Sequence, residues 1–119
     1  MLFQDNTQPI FMQIVDLVCD RVLKGEIPAD GQIPSVRELA VELQVNPNTV
    51  MRAIERLLQW GIIYSQRGRG NYLAEGARQT IIEHRTQRLL TERLPQLAEE
   101  MKLLNFTPSQ VALELEKHL

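Results

Sequence analysis

The sequence predicts a mainly α-helical fold with one small β-hairpin, in which three helices and the hairpin fill residues 1–74 and a short helical tail fills residues 75–119. Three observations predict it. Apolar residues recur three and four positions apart in successive segments before Trp60, the spacing of helices that bury one face. Each segment opens on a helix-start signal: Pro9, then Ser35 with Glu38, then Asn46 with Pro47. Two short β-prone runs then flank Arg67-Gly68-Arg69-Gly70, a turn-forming stretch.

The first helix is expected from about Pro9 to Lys24. Proline suits a first helical turn, and Ile10, Ile14, Leu17, Val18 and Val22 supply the apolar face. Gly25 ends it, and Pro28, Asp30 and Gly31 form a turn. Ile33 is extended because Pro34 follows it. Ser35-Val36-Arg37-Glu38 is a capping box: the Ser hydroxyl accepts the Glu N–H while the Glu carboxylate reaches back to the Ser N–H. The second helix then buries Val36, Leu39, Ala40 and Leu43. After the tight Gln44-Val45 connection, Asn46 caps a third helix with Pro47 at its first position. Val50, Ile54, Leu57 and Leu58 form its inner face, and Gly61 closes it after Trp60, a packing residue at the helix end. Strands are expected at Ile62–Gln66 and Asn71–Ala74.

In the tail, Thr80 and Glu83 have capping-box spacing, with Gly76 as an alternative helix start. Leu90, Leu94, Leu97, Met101 and Leu104 step by four, three, four and three, a narrow coiled-coil seam that calls for a partner helix, in the same chain or in a second copy. Pro95 falls inside the seam and should kink or split the helix. Thr107-Pro108-Ser109-Gln110 starts a last helix carrying Val111, Ala112, Leu115 and Leu119.

Composition narrows the function classes. With 119 residues, 44% of them apolar, the chain suits one small domain plus an extension. No apolar run approaches the roughly 20 residues of a membrane span, and no leader pattern opens the chain, so a cytoplasmic location without membrane contact is expected. Cys19 is the single cysteine, which excludes an intramolecular disulfide, and its place on the first helix reads as a small core residue. His84 and His118 lack the neighbours a metal site needs, and there is no nucleophile–base pair or phosphate-binding glycine loop; no cofactor, metal or catalytic site is expected. The net charge of −2 gives no overall argument for nucleic acid, yet Ser35–Ala74 holds five arginines against three glutamates.

Three helices followed by a hairpin form the winged-helix arrangement, and its second and third helices form a helix-turn-helix. In that motif the third helix enters the DNA major groove and offers its first residues to base edges. The outward residues there are Asn48, Thr49, Met51, Arg52 and Arg56. Asn can bond adenine with both ends of its amide, Thr can bond base or phosphate, and Arg can clamp guanine or phosphate. Double-stranded DNA is therefore the expected partner.

The stretches IPSVRELA (33–40), NPNTV (46–50) and GRGNYLA (68–74), at their mutual spacing, resemble the GntR family of bacterial regulators, and the likeness runs from Pro9 to Ala74. The resemblance implies a winged helix, operator binding as a homodimer, usually repression, and no enzymatic activity. By position it implies DNA contacts at Ser35 and Arg37, at Asn46, Asn48, Thr49 and Arg52, and at the wing tip formed by Arg67, Gly68, Arg69 and Gly70. Pro47 and Met51 depart from the commoner family residues, which leaves base reading to Asn48, Thr49 and Arg52. The tail is too short for an independent effector-binding core. It is similar to the tail of the YtrA-like branch, where it implies dimerisation, here through Leu90, Leu94, Leu97, Met101 and Leu104, and operons that often encode membrane transporters. Two other readings fit the same residues: a winged helix used for protein contact, and a sensor holding an unknown small-molecule effector at the dimer interface or beside the wing.

Overall fold

The structure is a computed structural model that describes residues 8–119; the first seven residues of the expected N-terminal domain lie outside the described part. Helix α1 is Ile10–Leu23, with Pro9 at its N-cap rather than inside its first turn. Its buried face is Phe11, Ile14, Val15, Val18, Cys19 and Val22, so the expected Ile10 and Leu17 flank the core and Phe11 enters it. Helix α2, Val36–Leu43, begins at the expected capping box and ends at Gln44, a left-handed residue with φ 57°. Helix α3, Pro47–Gln59, buries Val50, Ala53, Ile54 and Leu57, with Leu58 and Trp60 packed at the core's edge. Gly61 follows at φ +71°, the backbone that turns the chain toward the hairpin.

Strand β1 (Ile63–Gln66) pairs antiparallel with β2 (Gly70–Leu73), with Gln66 opposite Gly70. Gly70 thus opens β2 and the turn proper is Arg67-Gly68-Arg69. A third segment joins this pair. The Ile33 N–H donates to the Asn71 carbonyl at 2.9 Å, and the Leu73 N–H donates to the Gly31 carbonyl at 2.9 Å. The chain just before α2 is in this way bonded to the wing.

Helix α4 is Ala77–Arg88. It starts at Ala77, not at a Thr80 cap; the Thr80 hydroxyl instead donates to the Gly76 carbonyl at 3.2 Å. Ala77 and Ile81 are buried in the same cluster as α1–α3. The N-terminal compact unit therefore runs past Ala74, the boundary expected from sequence, as far as Ile82. Each fully buried Leu, Ile or Val in this cluster contributes about 1.5–3 kcal/mol relative to exposure, so ending the domain at Ala74 would leave a hole where Ile81 sits.

The second unit spans Glu83–Leu119. One π-helical turn, Leu89–Arg93, precedes α5 (Leu94–Leu104), and α6 is Pro108–Glu116. Pro95 is expected to kink or split the helix; the backbone instead stays helical from Arg88 through Leu94 and takes the proline in a π-helical turn. Proline has no N–H and its ring clashes with the carbonyl four residues back. The helix widens there, and the Leu94 N–H donates to the Leu89 carbonyl, five residues back. Asn105, at φ 54°, ends α5, and Thr107 with Gln110 forms the capping box of α6. Helix α6 stops before Leu119, which is fully exposed.

Candidate nucleic-acid interface

Helix α2 presents its N-terminus first. The Ser35 hydroxyl accepts the Glu38 N–H at 3.1 Å, and the Ser35 N–H donates to Glu38 Oε1 at 3.0 Å. Donation from the Ser35 backbone N–H, and after it the Ser35 side chain acting on the carboxylate, hold the Glu38 carboxyl below its usual pKa. The N–H groups of Val36 and Arg37 lie in the first turn, where no carbonyl of the helix can accept them, the arrangement by which helix N-termini bind anions. Arg37 is exposed beside them.

Helix α3 differs at its start. Pro47 has no N–H, the Asn48 N–H is taken by Asn46 Oδ1 at 2.8 Å, and those of Thr49 and Val50 donate to the Asn46 carbonyl. The first turn of α3 thus offers side chains, not backbone donors. Asn48 and Arg52 are exposed, and Thr49 is half-buried. Arg52 rests on α1: its guanidinium carbon lies 4.3 Å from the Phe11 ring centroid. Arg56 lies 5.3 Å from the same centroid and 5.7 Å from that of Trp60.

The wing turn is the third part. Arg67, Gly68, Arg69 and Gly70 are all exposed. Gln32 Nε2 donates to the Arg69 carbonyl at 2.7 Å, which fixes the turn to the segment leading into Ser35. Below it, the Tyr64 hydroxyl donates to Asp30 Oδ1 at 2.7 Å, and this bond raises the Tyr64 pKa against a smaller opposing effect of Gln66. Gln32 was not singled out from sequence. A lone glutamine in a loop carries no signal until its carbonyl partner, 37 residues away, is brought beside it.

Charge is also sorted by the fold. Glu42 pairs with Arg21 of α1. Among the described residues no carboxylate pairs with Arg37, Arg52, Arg56, Arg67 or Arg69. Cys19 is buried, and no cluster of three or more metal-type ligands exists among the described residues. No described helix is long and apolar enough to cross a membrane.

The sequence model of the bacterial regulatory proteins of the gntR family matches residues 12–73, more than half of the chain. The chain belongs to the GntR family. It is YtrA-like within it: it is 36% identical to the HTH-type transcriptional repressor YtrA of Bacillus subtilis over 94% of this chain and 80% of that protein. A GntR-family transcriptional regulator from Listeria monocytogenes superposes with a TM-score of 0.76 at 32% identity, over 96% of this chain and 98% of that one. The DNA-binding domain of AraR, solved in complex with an operator, superposes with a TM-score of 0.57 at 29% identity, over 61% of this chain and 95% of that one. GntR proteins are transcriptional regulators and not enzymes, and this family member is a DNA-binding regulator with a winged helix-turn-helix.

Proposed function

We propose that this GntR-family regulator is a homodimeric, cytoplasmic repressor that binds an inverted-repeat operator, two copies being joined through their tails. The observation that carries the reading is the tail's unburied apolar face. Neither α5 nor α6 buries a single residue, and Leu90, Leu94, Leu97 and Leu104 are 37–74% exposed. Leu97, Met101 and Leu104 line an apolar groove of about 250 Å³ with Phe106, Val111 and Leu115. The seam is thus partly shared with α6 and still open, as a surface awaiting a second copy is.

The contacts follow from the local geometry. Ser35, Arg37 and the free N–H groups of α2 hold phosphate. Asn48, Thr49 and Arg52 read base edges in the major groove, with Asn46 setting the helix start. Arg67, Gly68, Arg69 and Gly70 follow the backbone beside the groove, the glycines letting the turn approach closely. Selecting binding sequences from random duplex DNA tests the reading. The expected product is an inverted repeat with half-sites about one duplex turn apart, or a multiple of it; a single asymmetric half-site overturns it.

A second reading adds a small-molecule effector. A groove of about 770 Å³ lies beside the wing, lined by Val22, Ile27, Pro28, Tyr64, Leu73 and Ala77 among others, within the size range of ligand sites. Its test is a shift in operator affinity on adding metabolites, among them substrates of a transporter encoded in the regulated operon.

A further inference from the structure

Phe11 stands on α1, outside the helix-turn-helix, and is buried to 8% exposure. Two arginines of α3 lie over its ring, Arg52 at 4.3 Å and Arg56 at 5.3 Å. The two are held differently. Arg56 is half-buried, approaches the Trp60 ring, and donates from Nη1 to the Met12 sulfur at 3.5 Å. Arg52 is exposed, and among the described residues the Phe11 ring is its only partner.

Two like charges four residues apart repel on a helix. A neighbouring carboxylate would relieve that repulsion, but it would also cancel the charge that DNA needs. An aromatic face attracts a guanidinium without neutralising it. The ring therefore restricts where Arg52 can go and leaves its charge and its donor fork available to a base edge or phosphate. Ordering a long side chain in advance lowers the entropy lost when it binds.

We propose that Phe11 is a positioning residue for DNA reading, which holds the Arg52 guanidinium at the outer face of α3 and makes α1 part of the specificity machinery. The proposal rests on the reading that Arg52 contacts a base. Exposed cation–π contacts correspond to about a two- to fivefold effect on an equilibrium constant, and that is the size expected.

The test compares the selected operator with the same duplex altered at the one base pair where Arg52→Ala loses discrimination. Phe11→Leu keeps an apolar side chain and removes the ring. It should lower discrimination at that base pair about two- to fivefold and leave affinity for unrelated duplex unchanged. Phe11→Tyr should restore discrimination, which a merely structural role does not require. In the Arg52→Ala background, Phe11→Leu should cause no further loss. Thermal unfolding checks each variant, and Phe11→Met replaces Phe11→Leu if that variant does not fold. Full discrimination in Phe11→Leu or Phe11→Met, or the same loss with and without Arg52, overturns the role of Phe11 and leaves Arg52 as a reader. Unchanged preference in Arg52→Ala itself overturns the base-reading role, and the role of Phe11 falls with it.

Discussion

Asn46 and Asn48 carry the same side chain to different ends. The Asn46 oxygen accepts the Asn48 N–H, so one of its two lone pairs is committed to capping α3. The Asn48 side chain makes no hydrogen bond among the described residues and keeps both ends free. Asn48→Ala should therefore relax preference at one base pair, costing about 1–3 kcal/mol there, as read by competition with singly altered operators. Asn46→Ala should instead lower thermal stability by about 1 kcal/mol through loss of the cap and weaken all sequences alike. Glu38 gives a pH dependence. Its folded-state pKa lies below the ordinary carboxylate value, so its contribution is complete above that value, about 4.3, and is lost as pH falls through the lowered one. The stability difference between wild type and Glu38→Gln should shrink as pH is taken below about 4, measured by thermal melts; a difference that persists unchanged would show that the charge is not what Ser35 holds.

At the scale of elements, the wing depends on one backbone position. Gly70 has φ +107°, and a Cβ there would meet Gln32 Nε2 at 2.9 Å. Side chains rarely adopt that backbone, at a cost of about 1–3 kcal/mol. Gly70→Ala should destabilise the fold by that order and also weaken operator binding, because Gln32 would have to release the Arg69 carbonyl. Circular dichroism melts and binding titrations check the two effects separately. In the tail, Pro95 sets the turn before α5. Pro95→Ala restores an N–H and removes the ring clash, so Leu89–Arg93 should relax toward α-helix. Helix content by far-ultraviolet circular dichroism should rise slightly, and the phase between Leu90 and the Leu94–Leu104 face should change, weakening self-association.

For the whole molecule, the place of a truncation matters. Cutting after Ala74 removes Ala77 and Ile81 from the N-terminal core, whereas cutting after Arg88 keeps them. The longer fragment should be a folded monomer that binds operator weakly, having lost the avidity of two linked sites. Leu97→Glu or Met101→Glu in the full chain should act similarly, since each places a charge in the apolar groove of the tail. Sedimentation analysis of the full chain, the fragment and the variants decides this. A full chain that is monomeric at micromolar concentration and binds one half-site as well as the inverted repeat would exclude the dimer. Operator affinity should also fall steeply with salt, each neutralised phosphate contributing about −0.9 to the log–log slope, and Arg37→Ala should make that slope shallower by about one contact.

Sequence alone determined what is local. The capping boxes at Ser35 and Thr107, the Asn46 cap with Pro47, the left-handed Gly61 and the helix distortion before Pro95 each depend on residues within a few positions of one another, where short-range sterics and hydrogen bonding decide. The candidate DNA residues Asn48, Thr49 and Arg52 were legible as the start of the third helix of a helix-turn-helix, whereas those at Ser35, Arg37 and the wing were implied by position from the family resemblance. The tertiary structure decided what joins distant positions. It carried the N-terminal core on to Ile81, because a helix face is buried only if something packs on it and periodicity does not say what. It tied the wing to the chain before α2 through Gln32, and it laid Arg52 over Phe11 instead of leaving it unattached in solvent. Neither contact has a spacing that announces it: each exists only because folding brings residues some 40 positions apart within a few ångströms.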